Sequence, residues 1–562
     1  MNLAAPFSGH PYLTKHLIAY IGNKRALLGF LREVFETLPL GRGRRVFLDP
    51  FAGSGAVSRL ARLLGYRVLA GDQEFYAYVL NAAHLGVQRR EAAGLFQEQG
   101  GLERLLDRLN SLPPPREEER YIARHYAPRD TERADYRRER LFYSRENALR
   151  IDAVRSALEK LYPGFALEGP GKKEKLLLLA SLLYQCATHT NTSGVFKACH
   201  KGFGGHNRDA LGRILSPVRL EAPVLADGPP AEAFCLEAEE FARSHPGDLC
   251  YLDPPYNQHQ YGSNYHLLNT IALWDKPPVD EALRPDGRLR SKAGIRRDWV
   301  RTRSPYCYRD RAAGALEGLL GAIDARFLCL SYNTEGIIPF EHLVELLAAQ
   351  GELRLYGNDY VKYRGGKQSI SRQVHNLELL LVVDRRAPGR GGARAQMEGL
   401  LLRRRTVLLF RRSFYPQRVR AAFRAPQDAI LFETQAGDAL RLEMPGHYRF
   451  LEGQEGFLGS LSAEELGRFQ ALLAPCECSN RKEEIGILVE LLRGPLAEPR
   501  LRLYRKRILW LLKKFAFRKY RQEFMLTLEG LRLLAAEEPA VFGALEEELP
   551  RLERLAQARF QG

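Results

Sequence analysis

Hydrophobic and polar positions between residues 45 and 90 predict strands and helices in alternation. The stretch "RRVFLDPFAGSGAVSRLARLLG" begins with a short apolar strand, Val46–Leu48, and continues into a glycine-rich turn. Apolar residues from Val57 to Leu64 then recur at i, i+3, i+4 and i+7, the spacing of one helix face. "YRVLAGDQE" predicts a second strand that ends at Asp72. This order is half of a doubly wound, nucleotide-type α/β fold.

The strands of this fold resume only after a long polar interval. Residues 91–244 are mostly polar, charged and helical in pattern, whereas "DLCYLDPPY", "ARFLCLSYNTEG" and "HNLELLLVVD" are strand-like. We therefore predict a Rossmann-like sheet in two halves, 1–90 and 245–385, around an inserted and mostly helical domain at 91–244. "RRAPGRGGARAQ" then predicts an exposed linker. Residues 386–562 are predicted to form a separate, largely helical and basic region.

The turn "DPFAGSG", from Asp49 through Phe51 to Gly55, is the first candidate for ligand binding. Gly53 and Gly55 allow a tight turn and close approach of a ligand to the backbone. Asp72 follows about twenty residues on, where an acid can bind ribose hydroxyls. An ordinary strand–helix turn is the alternative. Because the phosphate-loop and full dinucleotide signatures are absent, we predict a ribose ligand without phosphates, and S-adenosylmethionine is the common one.

The second candidate is "DPPY", Asp253 to Tyr256, at the carboxyl end of the strand that contains "LCYL". Sheets of this type bind ligands at that end. The two prolines lack N–H donors and hold the backbone rigid, so the Pro254 carbonyl can accept a hydrogen bond from a ligand. The Asp253 carboxylate is a second acceptor and Tyr256 offers a flat face. A strand that merely ends in prolines and a capping acid is the alternative.

Two acceptors and an aromatic face suit the exocyclic amino group of a planar base. Hydrogen bonds from both amine hydrogens favour a pyramidal nitrogen whose lone pair can attack a sulfonium methyl group. Catalysis would then consist of positioning and electrostatics, without a covalent enzyme intermediate. A base inside a duplex cannot reach such a pocket, so it would be flipped out and stacked on Tyr256.

Together these pieces resemble the Dam-type (alpha-class) adenine-specific DNA methyltransferases over roughly residues 10–385. The resemblance rests on Tyr20-x-x-x-Lys24 in "YIGNKRALL", the "DPFAGSG" turn, Asp72 and DPPY in that order, with a long insertion before DPPY. It implies an S-adenosylmethionine-dependent methyltransferase sheet whose cofactor pocket is lined by Tyr20, Lys24, Asp72 and Asp253. The glycine-rich turn would contribute Asp49, Phe51, Gly53 and Gly55. Considered alone, "GNK" predicts a helix N-cap at Asn23 beside a solvated Lys24.

The resemblance also assigns a role to the insertion, 91–244, as the target recognition domain. "THTNTSGVFKACHKGFGG" is similar to the family's Asn-x-x-Gly-x-Phe stretch, here Asn191, Gly194 and Phe196. We predict that Asn191 and Lys197 contact nucleic acid. The segments "YNQHQYGSNYHLLNTIALWDKP" and "RSPYCYRDRAAGALEGL" resemble the branch that accompanies type IIS restriction enzymes. "GDQE" departs from the usual acid-Asn pair, so the ribose partner stays open between Asp72 and its neighbours.

Charge adds a polyanionic partner to this interpretation. The 562-residue chain has a formal net charge of +17, and double-stranded DNA is the partner we predict. Between Arg500 and Gln522 there are ten Lys or Arg and no acids, a run in which we expect Trp510 and Phe517 to be core residues. The predicted phosphate contacts of the C-terminal region are Arg403, Arg404, Arg505, Lys506, Lys513 and Arg518.

Other features bound the setting. No run of about eighteen apolar residues occurs and the N-terminus lacks a signal-peptide pattern. Eight scattered cysteines, of which only Cys476 and Cys478 are close, predict reduced thiols and no metal site. We expect a cytoplasmic monomer that protects DNA beside a cognate restriction endonuclease. An RNA adenine methyltransferase and a non-catalytic DNA-binding subunit remain alternatives.

Overall fold

The computed structural model of the chain describes residues 9–561 apart from thirteen gaps. The chain divides into two compact units, Met1–Arg394 and Ala395–Gly562. The gaps are residues 42, 44, 165–168, 170, 206–207, 334–335, 359–377, 390–391, 424–428, 444–448, 450, 452–453 and 479.

A seven-stranded sheet forms the centre of the first unit. Its strand order is β3-β2-β1-β4-β5-β7-β6, and β7 runs antiparallel to both of its neighbours while the other pairs are parallel. This mixed α/β sheet agrees with the predicted methyltransferase sheet. The strands are β1 Val46–Asp49, β2 Arg67–Gly71, β3 Ala231–Phe234, β4 Gly247–Leu252, β5 Ala325–Asn333, β6 Glu352–Asn358 and β7 Glu378–Asp384.

Helices cover the sheet because its central strands are apolar on both faces, as is typical of parallel sheets. In β4 the residues from Leu249 to Leu252 are all buried. The α-helices of the first unit are α1 Pro11–Thr14, α2 Leu28–Thr37, α3 Ala56–Leu63, α4 Phe75–Gly86, α5 Arg89–Ala92, α6 Leu102–Asn110, α7 Ile122–His125, α8 Arg145–Leu161, α9 Lys172–Thr188, α10 Leu211–Leu215, α11 Ala238–Ser244, α12 Tyr261–Asn264, α13 His266–Leu273, α14 Ala312–Ala322 and α15 Phe340–Ala348.

The range predicted as an insertion, 91–244, is continuous with the sheet in two respects. Its strand β3 pairs with β2 along the register Val68↔Ala231 to Gly71↔Phe234, so it belongs to the sheet itself. Its helices α6, α8 and α9 share one apolar core with α4 and α13. The helices of residues 91–244 therefore pack against the helices of the sheet through a common apolar core. Its role in target recognition stays a prediction.

The second unit is largely helical, as predicted, with one antiparallel hairpin formed by β8 Ala429–Glu433 and β9 Ala439–Glu443. The expectation that Trp510 and Phe517 are core residues is wrong, since each is 45% exposed. Tyr504, Ile508 and Leu512 occupy the buried face of that helix instead. The helices are α16 Ala393–Phe410, α17 Pro416–Ala422, α18 Ala463–Leu473, α19 Arg481–Leu492, α20 Glu498–Phe515, α21 Arg521–Glu537, α22 Pro539–Glu546 and α23 Leu549–Gln561.

Short 3-10 turns connect several of these elements. Two of these turns, Arg297–Thr302 and Pro305–Cys307, lie between α13 and α14, close to the site described below. The other 3-10 turns are Arg25–Leu27, Gln97–Gln99, Glu117–Glu119, Glu455–Ser460, Ala474–Cys476 and Arg518–Tyr520.

Neither a membrane-spanning helix nor a cluster of metal ligands occurs among the described residues. No helix among them is long and apolar enough to cross a membrane. Over the same residues, no group of three or more His, Cys, Asp or Glu side chains is arranged to hold a metal ion.

Candidate active site

A cavity lies at the carboxyl ends of β1, β2 and β4. Its wall contains Tyr20, Phe51, Asp72 and the whole DPPY segment from Asp253 to Tyr256. Parallel strands bring their carboxyl ends to one edge of a sheet, and for this reason motifs about two hundred residues apart in sequence face the same space. Three groups of predicted cofactor residues are thus brought together around one cavity.

The glycine-rich turn needs its glycines for reasons visible in the backbone. Gly53 has φ +51°, and a Cβ atom there would lie 2.9 Å from the Tyr20 ring. Gly55 has φ +78° and precedes the first turn of α3; a Cβ atom there would lie 2.5 Å from Oδ1 of Asn81. Both positions therefore require positive φ and a missing side chain.

We expect Gly55→Ala to lower the free energy of unfolding by about 2 kcal/mol or more, because a non-glycine residue at positive φ is strained and its methyl group would overlap Asn81. Denaturant-induced unfolding measures the change. Gly29→Ala in α2 is the matched control, since a Cβ atom there meets nothing within 4 Å. That control should be neutral or stabilising by up to about 1 kcal/mol. Equal stabilities of the two variants would contradict the strain at Gly55.

Asp72 lies directly beside this turn. Its Oδ2 accepts the amide of Gly53 and its Oδ1 accepts the amide of Glu74, both at 2.8 Å. Burial raises the pKa of Asp72 to about 6, against the lowering effect of those two hydrogen bonds. Glu74 lines the same cavity, and burial together with the Asp72 charge raises its pKa to about 7. The wall thus carries two carboxyl groups that change charge near neutrality.

The DPPY segment is held by Lys24. Nζ of Lys24 lies 2.8 Å from Oδ1 of Asp253 and 3.2 Å from the Gly22 carbonyl that it donates to. Its ammonium also lies 5.3 Å from the centre of the Tyr256 ring. Lys24 is only 4% exposed, so the expectation of a solvated side chain, which came from "GNK" alone, is wrong. Lys24 lies behind the cavity wall and contacts the residue that lines it.

Lys24 stays protonated in this position. Burial by itself lowers the pKa of Lys24, but the charges of Asp253 and Glu378 together with Tyr256 hold it well above its usual value. Oε2 of Glu378 lies 3.9 Å from the ammonium. Glu378 was not among the residues predicted from the sequence. A lone acid opening the apolar stretch "ELLLVVD" was the available signal, because a buried acid needs a partner.

Asp49, predicted to contact cofactor, lies behind the wall. It ends β1, is 1% exposed, and Oδ2 accepts a 2.6 Å hydrogen bond from the Ser58 hydroxyl. Burial raises the pKa of Asp49 to about 7. Its position supports the turn from below, and no contact of its side chain with the cavity is found among the described residues.

Stacked tyrosines form a side of the cavity that sequence patterns did not indicate. The ring of Tyr20 stacks on Tyr265 with centres 4.9 Å apart and lies 5.2 Å from Tyr261. The Tyr265 hydroxyl accepts the amide of Ile21, and the Tyr261 hydroxyl donates to the Ile21 carbonyl. The segment before α2 is thereby fastened to α12 and α13. On the other side, Phe51 meets Tyr306 edge to face.

The segment before Tyr306 is tied to the site by reciprocal hydrogen bonds. Nε2 of Gln260 donates to the Ser304 carbonyl at 3.1 Å, and the Ser304 amide donates to Oε1 of Gln260 at 2.8 Å. Nε2 of Gln73, next to Asp72, donates to the Thr302 carbonyl. The segment that ends at Ser304 is therefore hydrogen-bonded to residues near both predicted motifs.

Two residues predicted to contact nucleic acid in the first unit have different environments. Asn191 is fully buried, and its side-chain amide makes hydrogen bonds within the protein. Nδ2 donates to the Leu141 carbonyl, and Oδ1 accepts a hydrogen bond from the Gly204 amide. Direct contact of this side chain with DNA is therefore a wrong prediction. Lys197 is exposed. Its loop is fastened to the helices after DPPY, since the amide of Phe196 donates to the Asn264 carbonyl.

In the second unit the predicted phosphate contacts also divide. Arg404 is 2% exposed, which makes its prediction as a surface contact wrong. Arg403 and Arg505 are half-buried, and Nε of Arg505 donates to the Val541 carbonyl. The side chains of Lys506, Lys513 and Arg518 are exposed. Helical periodicity explains why the neighbours Arg403 and Arg404 differ, because successive side chains of an α-helix point about 100° apart.

Comparison with known proteins identifies the relatives of this chain. The family profile described as D12 class N6 adenine-specific DNA methyltransferase matches residues 20–286. The type II methyltransferase M.NlaIII of Neisseria lactamica is 31% identical over 351 residues, which are 62% of this chain and 93% of that protein. The type II methyltransferase M.FokI of Planomicrobium okeanokoites is 28% identical over 363 residues, 63% of this chain and 51% of its own length. The modification methylase LlaI of Lactococcus lactis subsp. lactis is 28% identical over 366 residues, 65% and 54%.

The sheet and its glycine-rich turn, with DPPY at the neighbouring strand end, define a methyltransferase-type α/β enzyme. The match to M.NlaIII over nearly its whole length then specifies the family. The chain belongs to the D12 class N6 adenine-specific DNA methyltransferases, an enzyme class that methylates DNA. The predicted resemblance to adenine-specific DNA methyltransferases is thereby confirmed. The two longer relatives extend well beyond this chain's matched part, which spans about half of each.

Proposed function

We propose that the chain transfers a methyl group from S-adenosylmethionine to the N6 amine of an adenine flipped out of duplex DNA at a specific sequence. One observation carries the proposal. The DPPY edge and Asp72, the predicted amine-binding and ribose-binding groups, line a single cavity. Adenine has the exocyclic amine and planar ring that two acceptors and an aromatic face would hold.

The residues of the cavity fit S-adenosylmethionine in kind. Asp72 presents a buried carboxylate that can accept ribose hydroxyls once ionised. The acidic wall of Asp72, Glu74 and Asp253 suits a cation, and the ring of Tyr20 offers it an aromatic face. When bound, the cofactor supplies a methyl group on a positively charged sulfur. We propose that Tyr20, Phe51, Gly53, Gly55 and Asp72 bind the cofactor.

The chain's own residues would act by holding the adenine amine. The Asp253 carboxylate and the Pro254 carbonyl each accept a hydrogen bond from one of the two amine hydrogens, and Tyr256 stacks on the ring. Methyl transfer would form an N–C bond from the nitrogen lone pair and break the methyl–sulfur bond, whose electron pair would stay on the then neutral sulfur. N6 carries the positive charge briefly and loses one proton to a carboxylate or to water. Positioning and electrostatic stabilisation are enough for this step.

The test of this function is long-read sequencing that detects modified adenines. Plasmid DNA would come from cells that express the wild-type chain, Asp253→Ala, or the control Asp438→Ala in the β8–β9 turn. We expect N6-methyladenine in one sequence context with the wild type and control, and none with Asp253→Ala. Modified adenine in structured RNA alone would favour the RNA alternative, and its absence from both would contradict the proposal.

The setting we propose is the modification half of a restriction–modification system, with a cognate endonuclease as partner. Support comes from the relatives, which are named as type II methyltransferases or modification methylases. Expression of the wild-type chain should then make DNA resistant to an endonuclease with the same recognition sequence.

Cofactor affinity should depend on pH through Asp72. With a pKa near 6, about one tenth of this carboxyl is ionised at pH 5 and about nine tenths at pH 7, so affinity should rise about ninefold across that range. The sign follows because ribose hydroxyls donate to the ionised form. Glu74, with a pKa near 7, would extend the rise toward pH 8. Isothermal titration with S-adenosylmethionine measures it.

Asp72→Asn should flatten most of this rise and weaken binding at pH 7 by about tenfold, the value of a hydrogen bond to a charged group. Glu232→Gln is the control, because that acid pairs with Arg67 on exposed strand surface. An Asp72→Asn profile identical to wild type would count against Asp72 as the ribose partner.

We propose that Lys506, Lys513 and Arg518 contact DNA phosphates. They are exposed and belong to a run of ten basic residues without an acid. The logarithm of affinity should therefore fall steeply with the logarithm of salt concentration. Replacing all three by Gln should reduce that slope by about 2 to 3, roughly 0.9 for each lost phosphate contact.

Arg493→Gln is the matched control for that measurement, since Arg493 is paired with Glu538. Its slope should stay near the wild-type value. Fluorescence anisotropy with a labelled duplex at several salt concentrations gives both slopes. A triple variant with the wild-type slope would remove these side chains from the DNA contact.

A further inference from the structure

Glu378 contacts the proposed amine-binding edge from behind the cavity. It begins β7 opposite Asn333, the last residue of β5. The side chain is buried, and Nδ2 of Asn333 donates to its Oε1 at 3.2 Å. The Tyr256 hydroxyl donates to the same oxygen at 3.4 Å, and Oε2 lies 3.9 Å from Nζ of Lys24. Glu378 lies outside the matched range 20–286 of the family profile.

Glu378 changes the charge of this cluster. Lys24 carries one positive charge and lies between two carboxylates, Asp253 at 2.8 Å and Glu378 at 3.9 Å. Replacing the Glu378 carboxylate by an amide would therefore remove a carboxylate 3.9 Å from the ammonium. With Asp253 alone, Lys24 would form a neutral pair whose attraction is directed away from the cavity. A second carboxylate shares the ammonium and leaves more negative charge on the cavity side.

We propose that Glu378 is a positioning residue for methyl transfer. It shares Lys24 with Asp253, so that Asp253 keeps its strength as an acceptor, and it holds the Tyr256 ring through the hydroxyl group. This inference rests on the proposed function, because the amine site is defined there. A carboxylate behind the cavity edge favours a cationic ligand, and it favours the positive charge that develops on N6.

Glu378→Gln tests the role of charge while it keeps the shape and an oxygen for Asn333 and Tyr256. We expect kcat in steady-state methylation of duplex DNA to fall by about 10- to 100-fold. The KM for DNA should stay within about threefold, because DNA contacts are unaffected. Glu352→Gln is the control: that acid begins β6 in the same sheet and pairs with Arg354. Glu378→Asp, which keeps the charge, should recover part of the lost rate.

A binding experiment separates this role from a merely structural one. S-adenosylmethionine carries a sulfonium charge, whereas S-adenosylhomocysteine has a neutral sulfur. In Glu378→Gln the affinity for the first should fall about five- to tenfold, and that for the second should change less than about twofold. Equal weakening of both ligands would overturn the proposal. So would wild-type kcat in Glu378→Gln.

The two proposals fail in different ways. If the wild-type chain methylates no adenine in DNA, the proposed function fails, and the two titrations still decide whether Glu378 favours a cationic ligand. If the wild type is active and Glu378→Gln equals it, only the role of Glu378 fails. Should Glu378→Gln not fold, Glu378→Asp and Tyr256→Phe replace it. Tyr256→Phe removes the hydroxyl that reaches Glu378 and should lower kcat about three- to tenfold without changing the preference for the cation; unchanged kcat there would contradict the contact.

Discussion

Asp253→Ala should lower the single-turnover rate of DNA adenine methylation by at least about 10³-fold while DNA affinity stays within about threefold. The carboxylate is the charged acceptor at the cavity edge, and loss of one preorganised group of this kind costs about 10² to 10³ in rate. Here the same change also releases Lys24 from its 2.8 Å partner, so the loss should reach the upper end. Rapid-quench methylation and anisotropy binding on one duplex measure both quantities.

Asp253→Asn sharpens this experiment. The amide keeps the size of the side chain but presents an NH₂ group, which cannot accept an amine hydrogen, in competition with its oxygen. We expect it to be almost as inactive as Asp253→Ala. Asp438→Ala, in the second unit, should retain wild-type rates. Activity of Asp253→Ala within tenfold of wild type would end the proposed mechanism, and a parallel loss of DNA affinity would indicate a structural role.

Lys24→Met should both destabilise the protein and inactivate it. The substitution leaves Asp253 and Glu378 without the ammonium that lies between them. Removing one member of a buried ion pair costs about 3 to 5 kcal/mol, because the remaining charge is uncompensated. We expect a comparable fall in the free energy of unfolding and about a 10²-fold fall in the methylation rate at pH 7.

Denaturant-induced unfolding at pH 7 measures the loss of stability in Lys24→Met, and rapid-quench methylation measures the loss of rate. Lys15→Met, which replaces an exposed lysine nearby in sequence, is the control and should match the wild type in both. Wild-type stability of Lys24→Met would contradict the buried cluster.

Much of the site could be predicted because its parts lie at strand ends. The glycine-rich turn, Asp72 and Asp253 each follow an apolar strand, and parallel strands bring such positions to one edge. The order of the motifs was enough to predict a methyltransferase sheet. The strand β3 was missed because "AEAF" is short and only partly apolar. Its position depends on pairing with β2 rather than on its own pattern.

The contacts of Lys24 and Glu378 could not be predicted from sequence. Lys24 lies before the first strand and Glu378 begins the last one, and their approach depends on the antiparallel register of β5 with β7. Asn191 was predicted to contact DNA, but its side chain is buried and makes hydrogen bonds that stabilise its own loop. Trp510 was predicted to be a core residue because its side chain is large and apolar, but its position on the helix lies on the exposed face.

The pairing of β1 with β4 has a consequence for biosynthesis. Phe47 is aligned with Leu249, so one edge of β1 has no partner until about two hundred more residues have left the ribosome, which at 5–20 residues per second takes about 10 to 40 s. Closing so long a loop also makes the step slow. During this interval the nascent chain presents an open apolar strand edge, the kind of surface that chaperones cover and that aggregates when it is left bare.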